Sequence, residues 1–352
     1  MGHNHQHKPI IVRKKGRHLV VDIHAHLNVA AAEATLRQAM PNLPKGLPFS
    51  CPASDAVNAR MFAQIGSRLN GVAERLADMD RLGVDVQALS PNPGQYYYFA
   101  PAELGRELSR AINDGVAEAV AQAPDRLVGI GTVPLQDVAM AIAEMRRVVG
   151  DCNMRGIEIG SNVGGRDLSA EEFRPFFAAA EELGVMLFLH PLGFTQGERL
   201  SNHYLNNLIG NPLESTIAVS HLIFGGVLEA YPGLKLCVAH GGGYLPAYSG
   251  RMDHAFCTRE DCHQHISRKP SSYLKQLWFD SLVFEAGQLD YLVATYGADH
   301  ICMGSDYPFD MGEPDPVGFL HHLDEADRAK VMGQNACELL NLEIQAADHE
   351  NP

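Results

Sequence analysis

The sequence predicts a single (β/α)8 barrel, an α/β fold of the TIM type, with one long insertion after its first strand. Three observations lead there. Short β-branched runs alternate with amphipathic stretches over nearly all of the 352 residues, the pattern of strands joined by crossover helices. Several of those runs are apolar throughout, as parallel strands covered by helices are. The first strand leads into Ile23-His24-Ala25-His26, not into the glycine-rich turn of an open nucleotide-binding sheet. The length is large for one domain but ordinary for a barrel.

In chain order, the eight strands are expected at His18–Ile23, Val84–Ser90, Leu127–Val133, Gly156–Ile159, Val185–His190, Leu234–His240, Leu277–Asp280 and His300–Gly304. Between them, Asn70 is placed to cap a helix ending before Gly83, and Pro101 opens one running toward Ala123. Another begins near Leu135, and Ser169 with Glu172 forms a capping box for a helix ending at Gly184. Later helices are expected near Pro212–Ala230, Pro246–Cys257, Glu285–Tyr296 and Asp324–Leu340. The barrel spans 18–342, with a flexible tail at 1–17 and a second tail at 343–352. The Pro-, Ala-, Asn- and Ser-rich insertion, about 28–69, sits on the first βα connection, where it would serve as a lid or substrate wall over the barrel mouth.

Composition narrows the function. A formal charge of −14 argues against nucleic acid or an anionic membrane as partner, since both would repel it. No apolar run has the length of a membrane span or of a signal-peptide core. Seven cysteines without a CxxC pair read as reduced thiols, so a cytoplasmic protein is expected.

The chemistry lies in where the unusual polar residues fall. His24 and His26 follow an apolar run and, two apart on a strand, face one space. His190, His240 and Asp306 each end or follow another such run. All five therefore sit at C-terminal strand ends, where a barrel gathers its active site. His24, His26, His190 and Asp306 make three imidazoles and a carboxylate, a set that suits one catalytic Zn2+ and that Mn2+ also accepts. His240 is either a further ligand or an acid/base beside the metal. Gly241-Gly242-Gly243 allows close backbone approach to a ligand, and with four ligands already available His240 is assigned to general acid/base catalysis.

The ordered motifs DIHAH (22–26), PLQD (134–137), GIEIG (156–160), HP (190–191), HGGG (240–243), GR (250–251) and GSDYPF (304–309) resemble the amidohydrolase superfamily. The likeness, over about residues 19–342, is to the branch of 2-amino-3-carboxymuconate 6-semialdehyde decarboxylase and related aromatic-acid decarboxylases. It implies a zinc or manganese ion on His24, His26, His190 and Asp306, with His240 as catalytic histidine. It implies that Arg251 binds a substrate carboxylate across a homodimer interface, that an insertion arginine (Arg60, with Arg68 competing) binds a second one, and that Phe309 forms an aromatic wall. The expected activity is non-oxidative decarboxylation of an unsaturated or aromatic small-molecule carboxylate. Hydrolysis of a C–C bond, lactone or amide, with Asp306 or His240 taking the proton, is the alternative.

The chain departs from that pattern at two places. The tryptophan expected after HP is replaced by Leu192-Gly193-Phe194, and the only tryptophan, Trp278, lies on the seventh strand. The fourth strand carries Glu158 and no lysine, which favours one metal and leaves Glu158 open as a bridge. Other features read more plainly. His3, His5 and His7 belong to the tail. His254, Cys257, Cys262, His263 and His265 match no common zinc spacing. Asp22 reads as a buried strand carboxylate. Asp280 would orient His240 or a substrate group, or satisfy a loop, and Tyr96-Tyr97-Tyr98-Phe99 would either line a pocket or pack.

Overall fold

The computed structural model describes residues 10–14, 18–43 and 49–346. Eight parallel strands form the barrel: β1 (Val21–Leu27), β2 (Val86–Pro91), β3 (Leu127–Gly131), β4 (Gly156–Ile159), β5 (Met186–Leu189), β6 (Leu236–Val238), β7 (Trp278–Asp280) and β8 (Ile301–Cys302). Each pairs with its neighbours in sequence order. The ring closes where β1 meets the segment after β8, through a bridge between Ala25 and Tyr307 and the bond from Ile23 N to Met303 O (3.0 Å).

The alternation of strand and helix holds throughout. The first strand runs further than expected and includes both histidines, with all seven of its residues buried. A register shift between Asp22 and Ala25 marks a bulge there, a device that re-aims side chains at barrel rims. The insertion is mostly helical: α1 (Ala30–Ala39) and α2 (Pro52–Asn70) flank residues 44–48, which lie outside the described residues. On α2, Met61, Ile65 and Leu69 recur every fourth residue and pack against Phe309, so the helix lies over the barrel mouth. Asn70 ends α2 instead of opening the next helix, α3 (Ala73–Leu82), which Gly83 terminates in the left-handed region.

The remaining crossovers are α4 (Ala102–Val120), α5 (Val138–Gly150), α6 (Arg174–Leu183), α7 (Gly210–Phe224), α8 (Leu245–Thr258) and α9 (Ala286–Tyr296). Asp137 caps α5 through its bond from Met140 N (2.9 Å). The expected capping box at Ser169 is not formed, because a short 3-10 turn, Glu171–Phe173, precedes α6. Gly225-Gly226 splits the expected Pro212–Ala230 helix. A small hairpin, Asn162–Val163 with Arg166–Asp167, turns on Gly164-Gly165, both at positive φ, as a two-residue hairpin turn requires.

The two expected tails meet. Ile10–Lys14 pairs in parallel with Leu342–Ala346, and Val12 and Leu342 join the buried cluster containing Val21, Val86 and Val128. The ends of the chain are thus partly structural. His3, His5 and His7 lie outside the described residues. Among the described residues no helix is long and apolar enough to cross a membrane.

Candidate active site

The four expected ligands converge at the C-terminal end of the barrel. One ligand atom from each of His24, His26, His190 and Asp306 lies within 4.8 Å of the others, and all four residues are buried. His24 Nε2 is 3.1 Å from His26 Nε2, and Asp306 Oδ1 lies 3.4 Å and 3.1 Å from those two nitrogens. Both imidazoles are aimed by their other nitrogen. His24 Nδ1 meets Asp280 Oδ2 at 2.6 Å, and His26 Nδ1 meets the Pro91 carbonyl at 3.0 Å. A carboxylate or carbonyl behind a histidine in this way fixes ring orientation and raises ligand basicity.

His190 provides the test of whether a metal fits. It is 4% exposed, yet neither ring nitrogen has a hydrogen-bond partner. Burying an imidazole without partners is costly, and its ring stands 5.0 Å and 4.9 Å from those of His24 and His26. A cation bound among them would satisfy these groups together, and three nitrogens with one carboxylate oxygen is a donor set that zinc accepts. The residues fit a divalent metal.

The electrostatics point the same way. Burial would push the Asp306 carboxyl up, but the charge and hydrogen bonds of His24, His240 and His26 outweigh it and hold it well below the usual carboxylate range. Burial likewise pushes Asp280 up, and the bond and charge of His24 overcome it. His24 is disfavoured as a cation by burial, yet Asp306 and Asp280 raise it to about 10. His26 is lowered by burial, and His190 is driven well below the imidazole range by burial and then by the neighbouring imidazoles. Two carboxylates around one protonated ring leave a site that a cation can enter by displacing a proton.

His240 stands beside this cluster and outside the ligand group. Its ring is 4.9 Å from that of His190, and its Nε2 is 3.9 Å from Asp306 Oδ2. His240 and Asp306 both hold positive φ (57° and 59°), a conformation non-glycine residues keep where the surroundings over-determine it, often at functional sites. The glycines after His240 are needed. A Cβ on Gly242 would fall 2.6 Å from the Phe279 ring, and one on Gly243 would fall 2.3 Å from the Pro212 carbonyl oxygen.

A cavity of about 820 Å³ opens beside His240 and Asp306, walled by Tyr244, Tyr248, Leu282, Phe284, Tyr291 and Met311. A smaller cavity beside it shares Asn207 and Asn211 with the first and is lined from the insertion by Ser54 and Asn58. Phe309 stands 5.5 Å from the His26 ring and 6.2 Å from Phe62 of α2.

The other residues singled out from the sequence fall as follows. Arg60 is exposed and lines neither cavity; the buried face of α2 is that of Met61 and Ile65. Arg68 turns toward Asp78 (3.9 Å). Arg251 is exposed on α8 and does not line its own chain's cavity. Asp280 orients His24, not His240, and its Oδ1 accepts from Gly241 N (2.8 Å). Glu158 faces His26 Nδ1 at 3.8 Å, the nitrogen turned away from the ligand group, and so does not bridge. Burial pushes its carboxyl well above the usual range. Trp278 lies tilted against His300 (ring centroids 5.5 Å apart) and does not line the cavity. Tyr96 and Tyr98 stack at 5.6 Å, and Tyr96 donates to the His190 carbonyl (3.0 Å), so they support the ligand strand. Tyr97 packs with Ala32 and Leu36 of α1. The His254–His265 cluster forms no ligand group among the described residues, and all seven cysteines are free.

A closed barrel with four convergent ligands and a histidine at the cavity edge defines a metal-dependent barrel enzyme. The amidohydrolase family model matches residues 21–342, and the chain belongs to that family. It is 33% identical over 341 residues to the 2-amino-3-carboxymuconate-6-semialdehyde decarboxylase of Dictyostelium discoideum, covering 93% of each chain. It is 28% identical over 291 residues to a gamma-resorcylate decarboxylase of Rhodococcus jostii, covering 76% of this chain and 87% of that one. Among solved structures, the 5-carboxyvanillate decarboxylase of Sphingomonas paucimobilis superposes with a TM-score of 0.81 at 26% identity, over 92% of this chain and 99% of that one. The resemblance drawn from the motifs is borne out, and with it a metal-dependent decarboxylase.

Proposed function

We propose that the protein catalyses metal-dependent, non-oxidative decarboxylation of an aromatic or unsaturated carboxylic acid. The observation that carries this reading is the position of His240, between the ligand group and a cavity walled by aromatic side chains. His24, His26, His190 and Asp306 would hold one divalent ion, Zn2+ because three imidazoles suit it, with Mn2+ the alternative. Bound there, the ion supplies a Lewis acid that polarises substrate oxygen atoms.

This chain's residues do the rest. The aromatic walls would sandwich a planar substrate. His240 delivers a proton to the carbon that carries the carboxylate. The new C–H bond takes its electron pair from the substrate's π system; the C–C bond then breaks, its pair restores that π system, and carbon dioxide leaves. Asp306 Oδ2 lies 3.9 Å from His240 Nε2, so the ring stands directly beside the ligand group. In a hydrolase the same histidine would serve water addition; decarboxylase relatives covering most of the chain favour carbon dioxide release.

A carboxylate substrate needs a cation, and the described lining of the main cavity holds neither lysine nor arginine. Arg251 is exposed on α8, one turn beyond Ala247 and Tyr248 of the cavity wall. Around the mouth Tyr244, Tyr248, Phe284 and Tyr291 are exposed large apolar side chains, the composition of an interaction surface. A homodimer in which Arg251 of one subunit reaches the other's cavity answers both facts. The free thiols support a cytoplasmic setting. The test is metal analysis, followed by screening hydroxybenzoates and carboxymuconate-type acids for carbon dioxide release. Turnover without carbon dioxide would refute decarboxylation.

A further inference from the structure

We infer that Arg75 is a positioning residue for the metal site, acting through Gln87 and Asp22 on the backbone beside three of the four ligands. This rests on the assignment of His24, His26, His190 and Asp306 as metal ligands.

Arg75, on α3, is fully buried and is the largest side chain so placed. A buried guanidinium is costly unless its donors are used, and here its two Nη groups serve three partners while Nε has none. Nη1 donates to Gln87 Oε1 (2.6 Å), and Nη2 donates to the carbonyls of His26 (2.6 Å) and Arg68 (3.0 Å). The charge also lies 4.9 Å from the Tyr307 ring. Gln87 passes the connection on, with Nε2 donating to Asp22 Oδ2 (2.9 Å).

Asp22 is then saturated by the two segments that carry ligands. Its Oδ1 accepts from His24 N (3.1 Å) and Ser305 N (3.0 Å), and its Oδ2 also accepts from Ser305 Oγ (2.5 Å). The relay therefore grips the peptide at His24, the carbonyl of His26 and the residue before Asp306. These lie at the barrel's closing seam, where β1 and the segment after β8 share one bridge and not a full ladder. The side-chain relay adds to the backbone bonds of this seam, Ile23 N to Met303 O (3.0 Å), Asp306 N to His24 O (2.8 Å) and His26 N to Tyr307 O (2.8 Å). A fixed fork of donors suits this task, because a lysine cannot bond three acceptors in one plane. None of Arg75, Gln87 and Asp22 lines the substrate cavity.

The experiment measures Zn2+ dissociation constants by chelator competition on metal-stripped protein. Arg75→Met is expected to weaken zinc about 10- to 100-fold, the usual cost of losing a group behind a metal ligand. At saturating zinc its KM for the carboxylate substrate is expected to match the parent's. Asn113→Leu is the comparator. It breaks an equally buried network (Asn113 Nδ2 to Thr132 O, 2.9 Å, and to Glu144 Oε1, 2.7 Å) far from the seam, and should lower Tm without weakening zinc. If Arg75→Met does not fold, Gln87→Met and Ser305→Ala cut single links and should each weaken zinc. A folded Arg75→Met that binds zinc as the parent does overturns the inference. So do single-link variants with parental affinity, or an Asn113→Leu that weakens zinc equally. A parent that binds no zinc overturns the ligand assignment itself, and the inference with it.

Discussion

Zinc binding should expel a proton, and the site says from where. Without metal, His24 is held at about 10 by Asp306 and Asp280 against the cost of burial, so it is charged at neutral pH. His26 and His190 are lowered below the ordinary imidazole value and are already neutral. A metal binds only neutral imidazole, so about one proton must leave for each ion bound near pH 7. Apparent affinity should therefore rise about tenfold, ~1.4 kcal/mol, per pH unit between about pH 7 and 9. The sign for stability follows from the same shift. A folded value of about 10 above the ordinary 6.5 stabilises the metal-free fold fully below 6.5, and that contribution is lost as pH rises through 10. Metal-free protein should thus weaken on the alkaline side, while the zinc form does not share that loss. Asp280→Asn removes one of the two carboxylates that raise His24, and should flatten the pH slope while weakening zinc about 10- to 100-fold at high pH. Calorimetric titration in buffers of different ionisation heat counts the protons. No proton release together with a flat affinity from pH 7 to 9 would refute the electrostatic account.

Three other outcomes are expected. His240→Asn should keep its zinc and lose decarboxylation by about 10²- to 10⁴-fold, measured as carbon dioxide release against bound metal; near-parental turnover would remove His240 from the chemistry. Arg251→Ala should raise KM sharply, and mixing it with His240→Asn subunits should restore part of the activity, since one hybrid site then has both groups; failure of complementation in a verified hybrid dimer would keep Arg251 out of the partner's cavity. Phe177, fully buried between α6 and the barrel, should cost about 3–5 kcal/mol as Phe177→Ala in reversible denaturation, with zinc affinity unchanged.

The ligand set was legible from residues because its signal is local. A barrel places its chemistry at strand ends, so a histidine or aspartate closing an apolar run marks itself, and His24 and His26 share a face by the strand's period of two. Helix boundaries were less legible. No helix was assigned to the insertion because its proline and small residues obscured the spacing of Met61, Ile65 and Leu69 on α2. Partnerships across the barrel were not legible at all. His24 and Asp280 are 256 residues apart, and Ser305 and Asp22 are 283 apart, so no periodicity relates them. The sequence by itself determined a barrel, four ligands and a histidine beside them. Only the closed ring decided that Asp280 serves His24, that the His190 ring nitrogens have no hydrogen-bond partner, that Arg60 stays at the surface, and that Arg75 reaches the backbone of the metal site. The physical reason is that strand ends are set by local pattern, whereas hydrogen-bond partners are chosen when the first and last strands meet.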